Sequence, residues 1–499
     1  MIRRLLIANR GEIAVRIIQT CRELGVETVA VFSESDRTAV HVELADQAIA
    51  IGPSPALQSY LDISKVIAAA GSSGADAIHP GYGFLSQSPA FAAACGDAGL
   101  VFVGPPSDVM TRMGSKIEAR QLMESAGVPV VPGAVPSDQS DASLTRAIER
   151  VGLPVLIKAS KGGGGKGMRL VESSADAVDR LQAARREAQA AFGDGTLYVE
   201  RVVSRPHHIE VQVIADEHGA ILHLFERECS VQRRHQKVIE ESPSPNVTPA
   251  LRQRLAESAI AAARASSYRN AGTVEFLVDL AGPSRDRAPF HFLEMNTRLQ
   301  VEHGVTEQVT GVDLVRAQLL VASGEPLPWR QTDLNQRGHA IEARVYAEDP
   351  EHGFLPQAGR LLLYREPRMP GVRVDSGVRE GDDISVHYDP LIAKVIAQAE
   401  TRDLAIARLV AALRAFPVLG IVTNIPFLIR VLEHPSFQSG DMHTGFLDHE
   451  GATLADSVDE PTPAFVAAAL STADAGRGST GSVAAADWDP WSRLQGWRA

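Results

Sequence analysis

Cysteine is scarce: Cys21, Cys95 and Cys229 are the only three in 499 residues, and none forms a CxxC pair. That excludes a disulfide framework and argues against a structural zinc site built on thiolates. Long apolar runs are also missing, since nothing approaches the roughly 18 residues needed to cross a membrane. The N-terminal MIRRLLIAN superficially suggests a signal peptide, but its apolar run stops at Asn9-Arg10-Gly11-Glu12 and reads better as a first buried strand. A cytoplasmic address is the expectation. Excess positive charge is absent too: the formal net charge is −12, so the chain is not expected to bind nucleic acid or a membrane surface. No GxGxxG follows the first strand, which removes the support for a dinucleotide site. No internal repeat stands out.

What is present fits a soluble globular protein of about three domains, with 44% hydrophobic and 22% charged residues. A strand over 3–8, an amphipathic helix over 11–24 ending at Gly25 and a strand over 27–32 open a βαβ layout. Further strands are expected near 75–78 and 100–103. Proline-rich punctuation at 129–136 introduces a second region with strands VLIKAS and MRLV either side of a glycine loop, and a helix over 174–192. From 208 strands dominate: HIEVQVIAD, AILHLFERE, GTVEFLVDL and PFHFLEMN, with a helix near 250–266 between the second and third. The stretch 282–289 reads as a hairpin tip. IEARVYAE, LLLYRE and a helix over 402–415 form another mixed region, and 448–487 reads as a linker.

The strongest local signal is KGGGGKG at 161–167. Successive glycines let backbone N–H groups close around anionic oxygens without a Cβ in the way. It is not a Walker A loop, because Gly167 follows Lys166 where Ser or Thr is required. A flap between two strands, closing over a triphosphate, fits better. Strand alternation turns Lys158 away from Val155 and Ile157, so it can point at a phosphate. The same alternation sets Glu275 with Thr273 and Leu277, opposite Val274, Phe276 and Val278, and puts Glu294 on one face with Asn296. Carboxylates on strands this apolar need partners, and hard oxygen ligands from two strands suit magnesium bridging nucleotide phosphates. Directly after them, Asn296 to His303 packs an amide, a guanidinium and a carboxylate: Arg298 can grip a planar oxyanion such as bicarbonate, and Glu302 can take a proton from it. The basic run Arg233 to Lys237 reads as a solvated loop or as a positive pole for substrate capture. Arg344 shares a face with Glu342, opposite Ile341, Ala343 and Val345, where it would stabilise an enolate-like oxygen or serve a structural salt bridge.

Together the strings IANRGEIAVRI, HPGYGFLS, MGSK, VLIKASKGGGGKGMR, CSVQRRHQK, EMNTRLQVEH, RGHAIEARVYAEDP and FLPQAG closely resemble the biotin carboxylase family of the ATP-grasp superfamily, in order over residues 1–447. The resemblance implies an α/β and α+β multidomain chain. Its parts would be a βαβ N-terminal domain (1–115), an ATP-grasp domain (116–330, lid about 130–204), a mixed C-terminal domain (331–447) and a linker with the possible start of a following domain (448–499). It implies that Lys116, Lys158, Gly164 and Gly165 bind ATP phosphates, that Glu200, Arg201 and Val203 lie in the hinge facing adenine, and that His208, Gln232 and His235 line the nucleotide site. Glu275 and Glu294, with Asn296, would hold Mg2+ or Mn2+. Lys237, Arg298, Gln300 and Val301 would surround bicarbonate, with Glu302 as the base. Arg344 would stabilise the biotin enolate, beside Tyr82 and Gly83.

The implied reaction is ATP-dependent carboxylation of biotin through carboxyphosphate, the first half-reaction of an acyl-CoA carboxylase. A biotin carboxyl carrier, a carboxyltransferase subunit and a homodimeric arrangement come with it. Biotin would be a substrate held on another domain or chain, because no Ala-Met-Lys-Met motif is present. Two departures stand out. Gly304 occupies a position where the family usually has proline, which would loosen that turn. Three of the four tryptophans, Trp488, Trp491 and Trp497, crowd the end of the chain, as at the start of a further domain in larger alpha subunits. The competing readings are another ATP-grasp ligase acting on an amine, disfavoured by Arg298, Glu302 and Arg344, and a scaffold subunit without turnover.

Overall fold

The computed structural model describes residues 2–160 and 167–455. Its N-terminal layer is a five-stranded parallel sheet of β1 (Arg4–Ile7), β2 (Glu27–Ser33), β3 (Gln47–Gly52), β4 (Ala77–His79) and β5 (Val101–Phe102), in the order β3-β2-β1-β4-β5. Helix α1 (Gly11–Leu24) follows β1 and buries Ile13, Ile17, Ile18 and Cys21, an i, i+4 stripe packed against the helix Leu314–Ala322. It stops at Gly25, which takes the left-handed conformation at φ 68° that a C-terminal cap needs. Strand order reverses between β1 and β4, so a crevice opens at their carboxyl ends, where parallel sheets place ligands. Asn9 spans it, its amide donating to the Pro80 and Tyr82 carbonyls at 2.8 and 2.7 Å.

A separate four-stranded antiparallel sheet is built from β6 (Gly133–Ala134), β7 (Val155–Ala159), β8 (Arg169–Val171) and β9 (Leu197–Arg201), in the order β6-β9-β7-β8. Helices Asp141–Val151 and Ala177–Phe192 cover one face, packing Leu144, Ile148, Leu181 and Ala184 on Val155, Ile157 and Val199. That apolar covering is what turns Lys158 to the other face. The glycine loop itself, with Gly164 and Gly165, lies outside the described residues.

The largest sheet has eight strands. β14 (Phe290–Asn296), β13 (Asn270–Val278), β10 (His207–Ala215), β11 (Ile221–Arg233), β12 (Gln236–Ser242) and β15 (His339–Tyr346) are followed by Leu391–Ala399 and Val372–Ser376. One face of its first part carries Ile209, Val211, Val274, Phe276 and Val278 against the helix Pro249–Ala265. One face of its second part carries Ile341, Ala343, Val345 and Val395 against the helix Arg402–Arg414. Both helices open with a threonine cap, Thr248 and Thr401, accepting from the backbone N–H three residues on. Glu210, Glu275, Glu342 and Arg344 are thereby left on the opposite face, whereas Glu226 and Glu241 stay on the helix-covered face, where Arg252 and Arg402 of those helices pair with them.

Two sequence expectations need amendment. Residues 448–455, expected to open a linker, belong to the helix Phe446–Ala455, which buries Leu447 and Leu454, seven residues apart on one stripe; the rest of that stretch, with Trp488, Trp491 and Trp497, lies outside the described residues. Gly304 does not sit in a loosened turn. It lies in the first turn of the buried helix His303–Thr310, where a Cβ would fall on Ile396 Cδ1 and close to Glu342. Among the described residues no helix is long and apolar enough to cross a membrane.

Candidate active site

The polar face of the large sheet sets three carboxylates of the site side by side. Glu210 of β10 stands opposite Glu275 of β13, which stands opposite Glu294 of β14. Such like-charge neighbours repel unless cations separate them. Lys237, at the start of β12, supplies the cation: its ammonium donates to Glu210 at 2.5 Å, Glu275 at 2.9 Å and Glu302 at 2.6 Å. Burial alone would lower the Lys237 pKa, but the three carboxylates outweigh it and hold it well above the lysine range. Glu275 is likewise opposed by burial, yet Lys237 and His208 keep it well below the carboxylate range. Its Oε1 also accepts from Asn296 at 2.8 Å and Gln300 at 2.9 Å, and its Oε2 lies 3.0 Å from His208 Nε2.

Glu302 sits where the helix His303–Thr310 begins, buried to 2% exposure. One carboxylate oxygen accepts from Lys237 and the other from Arg344 at 3.0 Å. Burial works to raise its pKa, but Lys237, Arg344 and Arg227 bring it far below the usual value, so it is ionised at any physiological pH. Arg344 reaches sideways to Glu240 at 2.6 Å. The carbonyl of Val301, one residue before Glu302, accepts from the Lys394 ammonium at 2.7 Å. Beneath the cluster Arg227, with no exposed surface, pairs with Glu210 at 2.5 Å. It also donates to Gln212, Thr273, Gln300 and Thr306 between 2.8 and 3.1 Å.

The residues expected on the nucleotide side make pairs of their own. Lys116 donates to Glu294 at 3.3 Å and Lys158 to Glu200 at 2.7 Å, while the second Glu200 oxygen accepts from Arg120 at 3.0 Å. Gln232 meets His208 Nδ1 at 2.8 Å. Arg298 is half-buried, with its guanidinium donating to Gln87 at 3.1 Å and to Asn296 at 3.4 Å. Tyr82 donates its hydroxyl to Glu12, and Gly83 follows at φ 68°. Hard oxygen donors of Glu275 and Glu294, facing each other across β13 and β14 with the Asn296 amide beside them, are of the kind magnesium prefers.

Three family models match in succession. The biotin carboxylase N-terminal domain matches residues 1–110, the carbamoyl-phosphate synthase L chain ATP-binding domain 115–330, and the biotin carboxylase C-terminal domain 342–449. Biotin carboxylase 2 of Bacillus subtilis is 49% identical over 447 residues, covering 90% of this chain and 99% of that protein. The chain belongs to the biotin carboxylase family. Methylcrotonoyl-CoA carboxylase subunit alpha, mitochondrial, of Rattus norvegicus is 50% identical over 447 residues, and the match spans 89% of this chain but only 62% of that subunit. Among solved structures, a biotin carboxylase complex with β-γ-ATP from Campylobacter jejuni superposes with a TM-score of 0.86 at 42% identity, covering 90% of this chain and 99% of that one. The biotin carboxylase domain dimer of Hydrogenobacter thermophilus 2-oxoglutarate carboxylase, with MgADP, ADP and bicarbonate, gives 0.86 at 40% identity, covering 92% of this chain and 100% of that one. The architecture is the ATP-grasp fold of these biotin carboxylases.

Within that family frame, the residues singled out in the sequence fall into a tight centre and a looser rim. Lys237, Glu275, Asn296, Gln300, Glu302 and Arg344 are linked by direct hydrogen bonds. Arg201 and His235 are exposed, and Val203 is half-buried. The run Arg233 to Lys237 is the β11–β12 hairpin tip, solvated in its middle and anchored at both ends. Arg233 pairs with Glu348 at 3.0 Å and lies over the Phe354 ring, Lys237 is drawn inward, and only Arg234, His235 and Gln236 are exposed. Sequence reasoning missed Glu210, Arg227, Glu240 and Lys394. Glu210 was legible from alternation in HIEVQVIAD, since it shares the face of His208 and Gln212; the other three depend on partners far along the chain.

Proposed function

We propose that this chain carboxylates biotin, presented by a carrier domain or protein, at the expense of ATP and bicarbonate, as the first half-reaction of an acyl-CoA carboxylase. The observation that carries the reading is Glu302, ionised and buried between Lys237 and Arg344 and joined through Lys237 to Glu275. That arrangement supports a single base held between two cations, one of which also holds Glu275.

In this reading Lys116, Lys158, Gly164 and Gly165 hold the ATP phosphates. Glu200, Arg201, Val203, His208, Gln232 and His235 surround the rest of the nucleotide. Lys237, Arg298, Gln300 and Val301 receive bicarbonate, and Glu302 removes its proton as a bicarbonate oxygen attacks the γ-phosphorus and ADP departs. Carboxyphosphate then breaks to carbon dioxide and phosphate. The phosphate accepts the ureido N–H proton of biotin, and the nitrogen bonds to carbon dioxide while Arg344 stabilises the enolate oxygen. Mg2+ or Mn2+, held by Glu275 and Glu294 beside Asn296, would offset the phosphate charge. Tyr82 and Gly83 flank biotin, and closure of the glycine flap keeps water from carboxyphosphate.

The chain spans 62% of the rat alpha subunit it matches, so the carrier, the carboxyltransferase and the final acyl-CoA acceptor belong to the proposal. So do homodimerisation, a cytoplasmic address and the division at 115, 330 and 447. The test is ADP release by the purified chain with magnesium, ATP and bicarbonate, with and without free biotin. Bicarbonate-dependent turnover stimulated by biotin is expected. Glu302→Gln should abolish it and leave ATP binding nearly intact; stimulation by an amine instead of biotin would refute the reading.

A further inference from the structure

Lys394 is the one lysine with no exposed surface among the described residues, and it lies outside every role assigned above. Its strand, Leu391–Ala399, reads LIAKVIAQA, an apolar run interrupted by a single charge. A buried ammonium is costly unless several groups compensate it. Burial would lower its pKa, but Glu12, Glu342 and Asp375 together raise it, so the side chain stays charged.

Those groups join two parts of the site. Lys394 stands directly between Arg344 and Asp375 in a cross-strand row on the polar face of the large sheet. Arg344 holds the Glu302 carboxylate, and Lys394 holds the carbonyl of Val301 at 2.7 Å. Two adjacent members of one rigid row therefore pin two consecutive residues of the 297–302 stretch, which has no regular backbone ladder of its own. On its other side the Lys394 ammonium lies 3.4 Å from Glu12, whose Oε1 receives the Tyr82 hydroxyl. Asp375 backs it at 3.5 Å and is itself gripped by Arg373 through two bonds of 2.7 Å. A second link runs in parallel: Gln87, on the loop that carries Tyr82, accepts from Arg298 at 3.1 Å.

We infer that Lys394 is a positioning residue that locks the Tyr82 loop and the Val301–Glu302 stretch into one arrangement, so that the biotin and bicarbonate subsites form together. The inference rests on the carboxylase reading. Lys394 touches neither substrate in it; one arm acts through Val301, the other through Glu12 and Tyr82.

The experiment is steady-state kinetics of the purified chain with ATP, bicarbonate and free biotin varied in turn. Lys394→Met is expected to raise KM for bicarbonate and for biotin by about tenfold each, the scale of one lost charge-assisted hydrogen bond, and to leave KM for ATP within about twofold. Glu12→Ala cuts only the Tyr82 arm, so it should raise KM for biotin about tenfold and leave the bicarbonate dependence unchanged. The idea is overturned if Lys394→Met leaves both constants unchanged, or if all three rise by the same factor, as general loosening would produce. Should Lys394→Met not fold, Glu12→Ala decides: an equal rise for biotin and bicarbonate, or no rise for either, overturns it. A wild-type chain without biotin-stimulated turnover would refute the carboxylase reading instead, before any variant is compared.

Discussion

Replacing Arg227 with methionine keeps much of the side-chain bulk and removes the guanidinium that lies beneath the acidic centre. Its partners are Glu210 at 2.5 Å, Thr306 and Gln300 at 2.8 Å, Gln212 at 2.9 Å and Thr273 at 3.1 Å. Breaking a buried ion pair by deleting one member costs about 3–5 kcal/mol. Glu210 keeps Lys237 on its other oxygen, which draws the cost toward the lower bound, whereas the amide oxygens of Gln212 and Gln300 lose a donor at about 1 kcal/mol each. The expected loss is therefore about 3–5 kcal/mol, a large share of the ~5–15 kcal/mol that usually separates folded from unfolded chains. Urea denaturation followed by far-ultraviolet circular dichroism measures it, with Thr306→Val as the comparator at about 1 kcal/mol. Because Gln300 is freed, KM for bicarbonate should rise in the same variant. A loss under about 1 kcal/mol with unchanged kinetics would show that Arg227 does not hold the centre together.

Arg344→Ala removes one of the two cations on Glu302 and the group assigned to the enolate; it should impair biotin carboxylation by at least tenfold more than bicarbonate-dependent ATP cleavage, measured in parallel assays. Glu275→Gln keeps the hydrogen-bonding shape but loses a charge, so the magnesium concentration for half-maximal ADP release should rise several-fold, and an unchanged requirement would remove Glu275 from the metal. His41 and His79 are both buried and neutral, their pKa values lowered by burial from 6.5 to about 4. The unfolded chain binds their protons below 6.5 and the folded chain only below about 4, so the stability they confer is present above 6.5 and lost as pH falls through that window. At about 1.4 kcal/mol per pKa unit each loss is about 3 kcal/mol; His79→Gln should flatten the acid limb of a urea-midpoint profile against pH, and a profile that stays parallel to wild type would refute the assignment.

Strand alternation makes much of this centre readable from the residues alone. Val274, Phe276 and Val278 must face a core, which leaves Thr273 and Glu275 on the opposite face, and the same logic sorts Glu342 and Arg344 from Ile341, Ala343 and Val345. It fails where the ladder is irregular. β11 shifts register against β12 between Glu228 and Val231 and again before Gln232, and the hairpin tip turns back at Arg234 and His235, both at positive φ. Counting by twos therefore cannot say that Lys237 turns inward while its basic neighbours stay in water. Arg227 and Lys394 are hidden for another reason. Lys394 is the lone charge of its strand and Arg227 lies between Glu226 and Glu228, but the carboxylates that hold them, Glu210 for Arg227 and Glu12 and Asp375 for Lys394, come from other elements that only the fold brings near.

The eight-stranded sheet crosses the boundary between the matched family segments, because β12 lies within 115–330 and its partner β15 overlaps the segment beginning at 342. Truncation near residue 335 would thus not release two self-sufficient modules. It would leave β12 as a raw edge, its unpaired N–H and C=O groups open to a strand from a neighbouring molecule, and would strand Glu240 without Arg344. Swapping the carboxy-terminal segment between relatives would carry the same hazard unless β12 and β15 travel together.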